Sequence, residues 1–279
     1  MASPILWLAL ALLVAASLVR SPEARRALSA AGWGVFAPFW GSMALFFHGY
    51  TGGVEARVDA VDGTLSLVMV FFCLFVMAKI LRGGSPALWK LTRATAFVGL
   101  VYFPFTEIAP LRAALIGFTD QLTVGALGLF GVPASFSPPY LWVHTTNPTI
   151  LPDGIPIVEI ILACTAVESI ALFGGVILAV GENRRRQFLA AAATLPAIYL
   201  LNLIRNMFVT AAYAYSWYGT AEESFETAHA AMAKVGSTLA LIALAYILFR
   251  ILPETAEFVR EVVGEFLPGF RRKARPGGG

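Results

Sequence analysis

Apolar blocks long enough to cross a membrane recur along this chain, at 3–19, 30–48, 64–81, 91–109, 111–131, 155–180, 188–216 and 229–252. A helix needs about 20 consecutive apolar residues to cross the hydrocarbon core. The 279 residues are 58% hydrophobic and 13% charged, which is about half the charge of a soluble domain. That balance excludes a soluble globular enzyme, a disordered chain and a nucleic-acid-binding domain. Solid blocks also argue against a β-barrel, whose segments alternate. The chain reads as an all-α polytopic membrane protein with 7–8 transmembrane helices. The first block lacks a preceding basic run and is followed by Arg20-Ser21-Pro22-Glu23 rather than a small-residue cleavage site. It therefore reads as a span and not as a signal peptide.

Basic connectors set the orientation. Arg20, Arg25 and Arg26 follow the first block, and Lys79, Arg82, Lys90 and Arg93 flank 82–90. Arg184, Arg185 and Arg186 fall in 181–187, and the C-terminal tail carries Arg271, Arg272, Lys273 and Arg275. These four regions are expected on the cytoplasmic side. The acidic connectors 49–63 and 217–228 are expected outside. Counted from both ends, 111–153 must leave and return to the same side. Its block 111–131 carries Arg112, Asp120 and Gln121, and charges at membrane depth are costly. It is therefore read as a half-membrane or interfacial helix, the alternative being an eighth span.

The connector 132–156 is rich in proline. Tyr140 to Thr145 and Thr149 to Leu151 are β-prone around a Thr-Asn-Pro turn, which suggests a short β-hairpin over the outer mouth. An ordinary proline-rich loop is the alternative.

Polar residues inside apolar blocks carry the functional information. Cys164 stands about nine residues into the sixth block, roughly 13 Å deep at 1.5 Å per residue. Glu168 is expected one helical turn on, on the same face. Arg205 lies within the seventh block, with Asn202 and Asn206 on its face. An ion pair from Arg205 to Glu168 that merely fixes helix packing is one reading. His229 opens the last block at its outer end. Lys234 follows on another helical face, and Gly236 and Ser237 are small enough for close helix packing. Cys164, Arg205 and His229 can thus meet in the outer half of the membrane. A thiol beside a cation and an imidazole is equipped to act as a nucleophile, and a guanidinium can hold an oxyanion. Cys73 sits among Phe71, Phe72 and Phe75 and reads as inert.

Motifs for other intramembrane chemistry do not occur. The sequence has no Gly-x-Ser-x-Gly, Gly-x-Gly-Asp or His-Glu-x-x-His. Glu222-Glu223 lacks the arginine at Thr227 that a CAAX-protease motif needs. The two cysteines sit apart in apolar stretches, and His48, His144 and His229 are far apart in sequence. No metal and no cofactor is expected.

Ala163-Cys164-Thr165-Ala166, then Arg205-Asn206, then His229 follow one another in an order and spacing that resemble the exosortase/archaeosortase family. The Ala-Cys-Thr form resembles its archaeosortase A branch. The resemblance covers roughly 60–252. It implies a membrane cysteine transpeptidase or protease that removes a C-terminal sorting tail from exported surface proteins. Such a tail has a Pro-Gly-Phe signature, a hydrophobic helix and a basic end. The new C-terminus would be transferred to a membrane lipid. Cys164 would be the nucleophile, Arg205 the oxyanion or thiolate stabiliser, and His229 the acid/base, with Lys234 an alternative third group. Glu168 stands outside the family's pattern and its role is open; beside the motif, Glu168, Asn202 and Asn206 are candidate supporting residues, and Tyr140, Trp142 and His144 of the outer loop are candidate substrate contacts. The protein would lie in an archaeal cell membrane, with its active site outside and its C-terminus inside. The expected organisation is 1–110 N-terminal transmembrane helices, 111–156 interfacial helix and outer loop, 157–252 catalytic helices and 253–279 cytoplasmic tail. Pro268-Gly269-Phe270 in this chain has no apolar span after it and is read as coincidence. A transporter or channel with a polar outer cavity is the rival reading.

Overall fold

A lipid core offers no partner for backbone N–H and C=O groups, so apolar blocks must close their hydrogen bonds internally as helices. The computed structural model describes residues 3–49, 56–144, 157–181 and 183–267. Within them run α1 (Pro4–Leu18), α2 (Pro22–Gly49), α3 (Ala56–Leu81), α4 (Pro86–Glu107) and α5 (Ala109–Leu129). Strands β1 (Ala134–Ser137), β2 (Tyr140–Val143) and β3 (Ile157–Glu159) come next, then α6 (Val167–Val180) and α7 (Arg184–Ala214). The last elements are α8 (Ala221–Phe225), a π-helical stretch (Glu226–Ala233), α9 (Lys234–Ile251) and α10 (Glu254–Phe266). Val61–Leu81, Arg184–Ala214 and Ala221–Ile251 are long and apolar enough to cross a membrane. A fourth span arises if α4 and α5 count as one bent span. The polytopic helical class is as expected, but length and composition do not reach the expected 7–8 spans: α1 and α6 are apolar and short.

The chain divides into two units. One comprises Met1–Leu100, Leu178–Val180 and Glu254–Gly279. In it Trp33, 1% exposed, donates from Nε1 to Thr92 Oγ1 at 3.0 Å and meets Phe72 edge-on at 5.7 Å. Phe266 of α10 stacks on Phe72 and Phe75, and Lys79 Nζ reaches Glu265 Oε2 at 3.5 Å. Pro268-Gly269-Phe270 lies outside the described residues.

The other unit comprises Val101–Ile177 and Gly181–Pro253. Helices α4 and α5 meet there at a 92° bend. Arg112 of α5 donates to the main-chain carbonyls of Phe105 and Thr106. Those carbonyls belong to the last turn of α4, which has no helical N–H to offer them. The arginine in this apolar block is thus a helix cap. Asp120 is fully buried on α5.

The three strands form an antiparallel sheet in the order β1-β2-β3. Tyr140–Val143 is a strand as expected. Its partners, however, are Ala134–Ser137 before it and Ile157–Glu159 after it, across a turn at Pro138-Pro139. The expected strand around Thr149 to Leu151 and its Thr-Asn-Pro turn lie outside the described residues. Alternation buries Leu141 and Val143 on one face. They join Leu127, Ile160, Ala211 and Ala214 in a core.

The first unit gives a packing test. A Cβ on Gly32 of α2 would stand 2.7 Å from Leu13 Cδ2 and 3.2 Å from the Leu13 backbone nitrogen. Overpacking costs about 1–3 kcal/mol. Gly32→Val should therefore lower the melting temperature in detergent, whereas Gly125→Ala, where a Cβ meets nothing within 4 Å, should not.

Candidate active site

The sixth block is not one helix. Strand β3 ends at Glu159, a single 3-10 turn holds Leu162–Cys164, and α6 begins only at Val167. Between them Ala166 has φ +62°, in the left-handed region. That conformation costs a non-glycine residue about 1–3 kcal/mol. Cys164 therefore sits on a sharp turn ahead of a helix N-terminus, and the expectation that Cys164 and Glu168 share a helical face is corrected. Thr165 braces the turn: its hydroxyl donates to Leu162 O at 2.7 Å.

Two amides on α7 grip this turn. Asn202 Nδ2 donates to the Cys164 carbonyl at 2.6 Å, and Asn206 Nδ2 donates to the same oxygen at 2.9 Å. The residues are one helical turn apart and share a face. Arg205 Nη1 lies 3.5 Å from Asn206 Oδ1, and Arg205 Nη2 lies 3.4 Å from His229 Nδ1. A guanidinium only donates, so Nδ1 is the acceptor. Cys164, Arg205 and His229 are thus joined by one hydrogen-bond network that enters the cysteine through its main-chain carbonyl. The side chain of Cys164 is half-buried and packs, with Met207, against the core of Leu141, Val143 and Ile160.

His229 is carried by the π-helical stretch. A capping box starts the run into it: Thr220 Oγ1 accepts from Glu223 N, and Glu223 Oε2 accepts from Thr220 N at 2.8 Å. This is the local role of Glu223. Phe225 stacks flat on the imidazole, with centroids 5.0 Å apart. The i→i+5 repeat of a π-helix changes which residues share a side. The charges of Arg205 and Lys234 both act on the imidazole.

A cavity of about 630 Å³ lies against this network. Its polar walls are Glu168, Ser169, Asn202, Arg205 and Lys234, and its apolar walls include Leu201 and Leu244. Glu168 does not ion-pair with Arg205 among the described residues. Its Oε1 accepts from Tyr102 OH at 3.1 Å instead. The close packing expected at Gly236 is absent: a Cβ there would meet nothing within 4 Å, and Gly236 and Ser237 line the cavity.

The sheet residues are placed differently from the core group. Tyr140 and Trp142 alternate with Leu141 and Val143, so they occupy the opposite face, and they meet edge-on at 6.4 Å. His144 Nε2 bonds Ser135 Oγ at 2.8 Å. Cys164 packs against the core to which Leu141 and Val143 belong. Sequence reasoning missed these two, and it missed Tyr102. The period-two run Tyr-Leu-Trp-Val was their signal.

Accessibility separates the two thiols: Cys73 is 0% exposed and Cys164 half-buried. A membrane-permeant maleimide should modify the folded protein once, at Cys164. In an Asn202→Ala, Asn206→Ala double variant the turn loses both donors. Each lost bond is worth about 1 kcal/mol, so labelling should speed up about thirtyfold. Peptide mapping that finds Cys73 modified first would contradict this placement.

Comparison with known proteins shows the family. The family described as transmembrane exosortase matches residues 2–249. Archaeosortase A of Natronomonas pharaonis is 27% identical over 259 residues, covering 86% of this chain and 80% of that protein. Archaeosortase A of Haloferax volcanii is 24% identical over 297 residues, covering 92% of this chain and 91% of that protein. No solved structure matches the chain. With nearly its whole length matched, the chain belongs to the transmembrane exosortase family.

Proposed function

We propose that this protein is a membrane-embedded cysteine transpeptidase that processes C-terminal sorting signals. The observation that carries the reading is the network running from the Cys164 carbonyl through Asn206 and Arg205 to His229. The two relatives named archaeosortase A support the processing of exported proteins. The transporter reading finds no support among these relatives.

The substrate is a membrane-anchored protein with a tripartite C-terminal tail. Its signature reaches the outer leaflet, with the active site outside and the C-terminus of the enzyme cytoplasmic. Helix α5 lies along the interface, which fits its 92° break from α4. The Cys164 thiol gives its proton to His229 Nδ1 and attacks the scissile carbonyl. The imidazolium can no longer accept from Arg205, so the guanidinium is free to turn to the acyl oxygen. His229 then protonates the leaving amine, and a thioester on Cys164 remains. A membrane lipid bearing a hydroxyl or amine resolves it.

Co-expression with a tail-bearing substrate tests the reading. Wild type should convert the substrate to a tail-free, lipid-modified product, seen by gel shift and intact mass. Cys164→Ala should abolish conversion, and conversion without the thiol would refute the nucleophile. Arg205→Lys should lose about 10²–10³-fold, the usual cost of an oxyanion donor. A lysine cannot reach Asn206 and His229 at once.

A further inference from the structure

Three observations around Glu168 are not used by the first half of that reaction. Its carboxylate lines the cavity yet pairs with neither of the cations that line the same cavity, Arg205 and Lys234. A phenol, Tyr102 OH, holds one of its oxygens at 3.1 Å, leaving the other without a hydrogen-bond partner among the described residues. The cavity wall includes Ala163 and Ala166, on either side of the cysteine turn. Neither His229 nor Cys164 is part of that wall, and the cavity reaches the cysteine turn through Ala163 and Ala166.

From this arrangement we propose that Glu168, oriented by Tyr102, is the general base of the second half-reaction, and that the cavity holds the acceptor. The inference rests on the cysteine transpeptidase reading. The acceptor is a protic headgroup, a hydroxyl or an amine, on an apolar chain. The walls divide accordingly: Glu168, Arg205 and Lys234 are polar, while Leu201, Leu241 and Leu244 are apolar. A cavity of about 630 Å³ falls within the usual range for a small-molecule site. In the step, the acceptor O or N attacks the thioester carbonyl carbon. The new C–O or C–N bond forms, the C–S bond breaks, and its electron pair leaves on Sγ as thiolate. The acceptor proton passes to the free oxygen of Glu168 and from there returns to the thiolate. The two half-reactions therefore use two proton acceptors, His229 for making the thioester and Glu168 for resolving it. Tyr102 is a positioning residue, because it acts through Glu168.

The test separates the halves, using the full chain in membranes with a tail-bearing substrate. Tail release and lipid-modified product are followed together, and the acyl-enzyme on Cys164 is read by intact mass. In Glu168→Gln, the first round of tail release should proceed, the acyl-enzyme should accumulate, and product should fall about 100-fold, as for loss of a general base. Hydroxylamine, which needs no base, should free the substrate as its hydroxamate and restore turnover to within about twofold of wild type. Tyr102→Phe should show the same pattern more weakly. Gly236→Leu fills the cavity from a position with open space. It should also trap the acyl-enzyme and be rescued by small hydroxylamine. If Glu168→Gln slows the first tail release as much as product formation, without trapped acyl-enzyme, or if hydroxylamine fails to rescue, the assignment to Glu168 is overturned. If even wild type yields no Cys164-dependent hydroxamate, the transpeptidase reading falls as well.

Discussion

The site depends on the paired grip of Asn202 and Asn206 on the Cys164 carbonyl, at 2.6 and 2.9 Å. A main-chain oxygen freed by a broken helix is costly in a membrane protein, where water does not satisfy it. Two amides from one face of α7 satisfy it and fix the cysteine turn to that helix. The second amide also carries Arg205 at its Oδ1, and Arg205 carries the contact to His229. Position is therefore transmitted from the backbone of Cys164 to His229 through two side chains, Asn206 and Arg205. Loss of the grip would release the turn from α7 and from the Arg205–His229 pair.

Both ends of this network sit on irregular backbone. The cysteine lies on a 3-10 turn followed by Ala166 at φ +62°, and the histidine lies on a π-helix. A regular helix would have placed Cys164 and Glu168 on one face. The broken segments instead leave the Cys164 side chain beside the β-sheet core and Glu168 on the cavity wall. Irregular backbone at membrane depth is tolerated only where it is buried in protein or lines a cavity, and here Ala163 and Ala166 of the cysteine turn and Met232 and Ala233 of the π-helix line one. Strained and non-α segments concentrate at functional sites for the same reason: they aim side chains that a regular helix cannot.

The helical membrane class was legible because apolar block length is a direct consequence of bilayer thickness. Cys164, Arg205, Asn202, Asn206 and His229 were legible because each is a polar residue inside an apolar block. The breaks within blocks were not. The stretch 155–180 is apolar but for Glu159, Thr165, Glu168 and Ser169, and hydropathy does not distinguish a buried strand and a turn from a helix. Arg112 looked like a charge at membrane depth, whereas it caps the last carbonyls of α4. Gly236 and Ser237 looked like close-packing residues. They face open volume, since a small residue permits either a neighbour or a cavity, and composition alone does not choose between them.

Non-additivity tests the central claim, that Cys164, Arg205 and His229 act as one unit. Processing rates would be measured for Arg205→Lys, His229→Gln and the double variant in the same membranes. Residues that act as a unit are grossly non-additive. The account predicts that the double variant is no slower than the slower single variant, within about threefold. A double variant slowed by the product of the two single effects would show that the two residues act independently and would contradict the account.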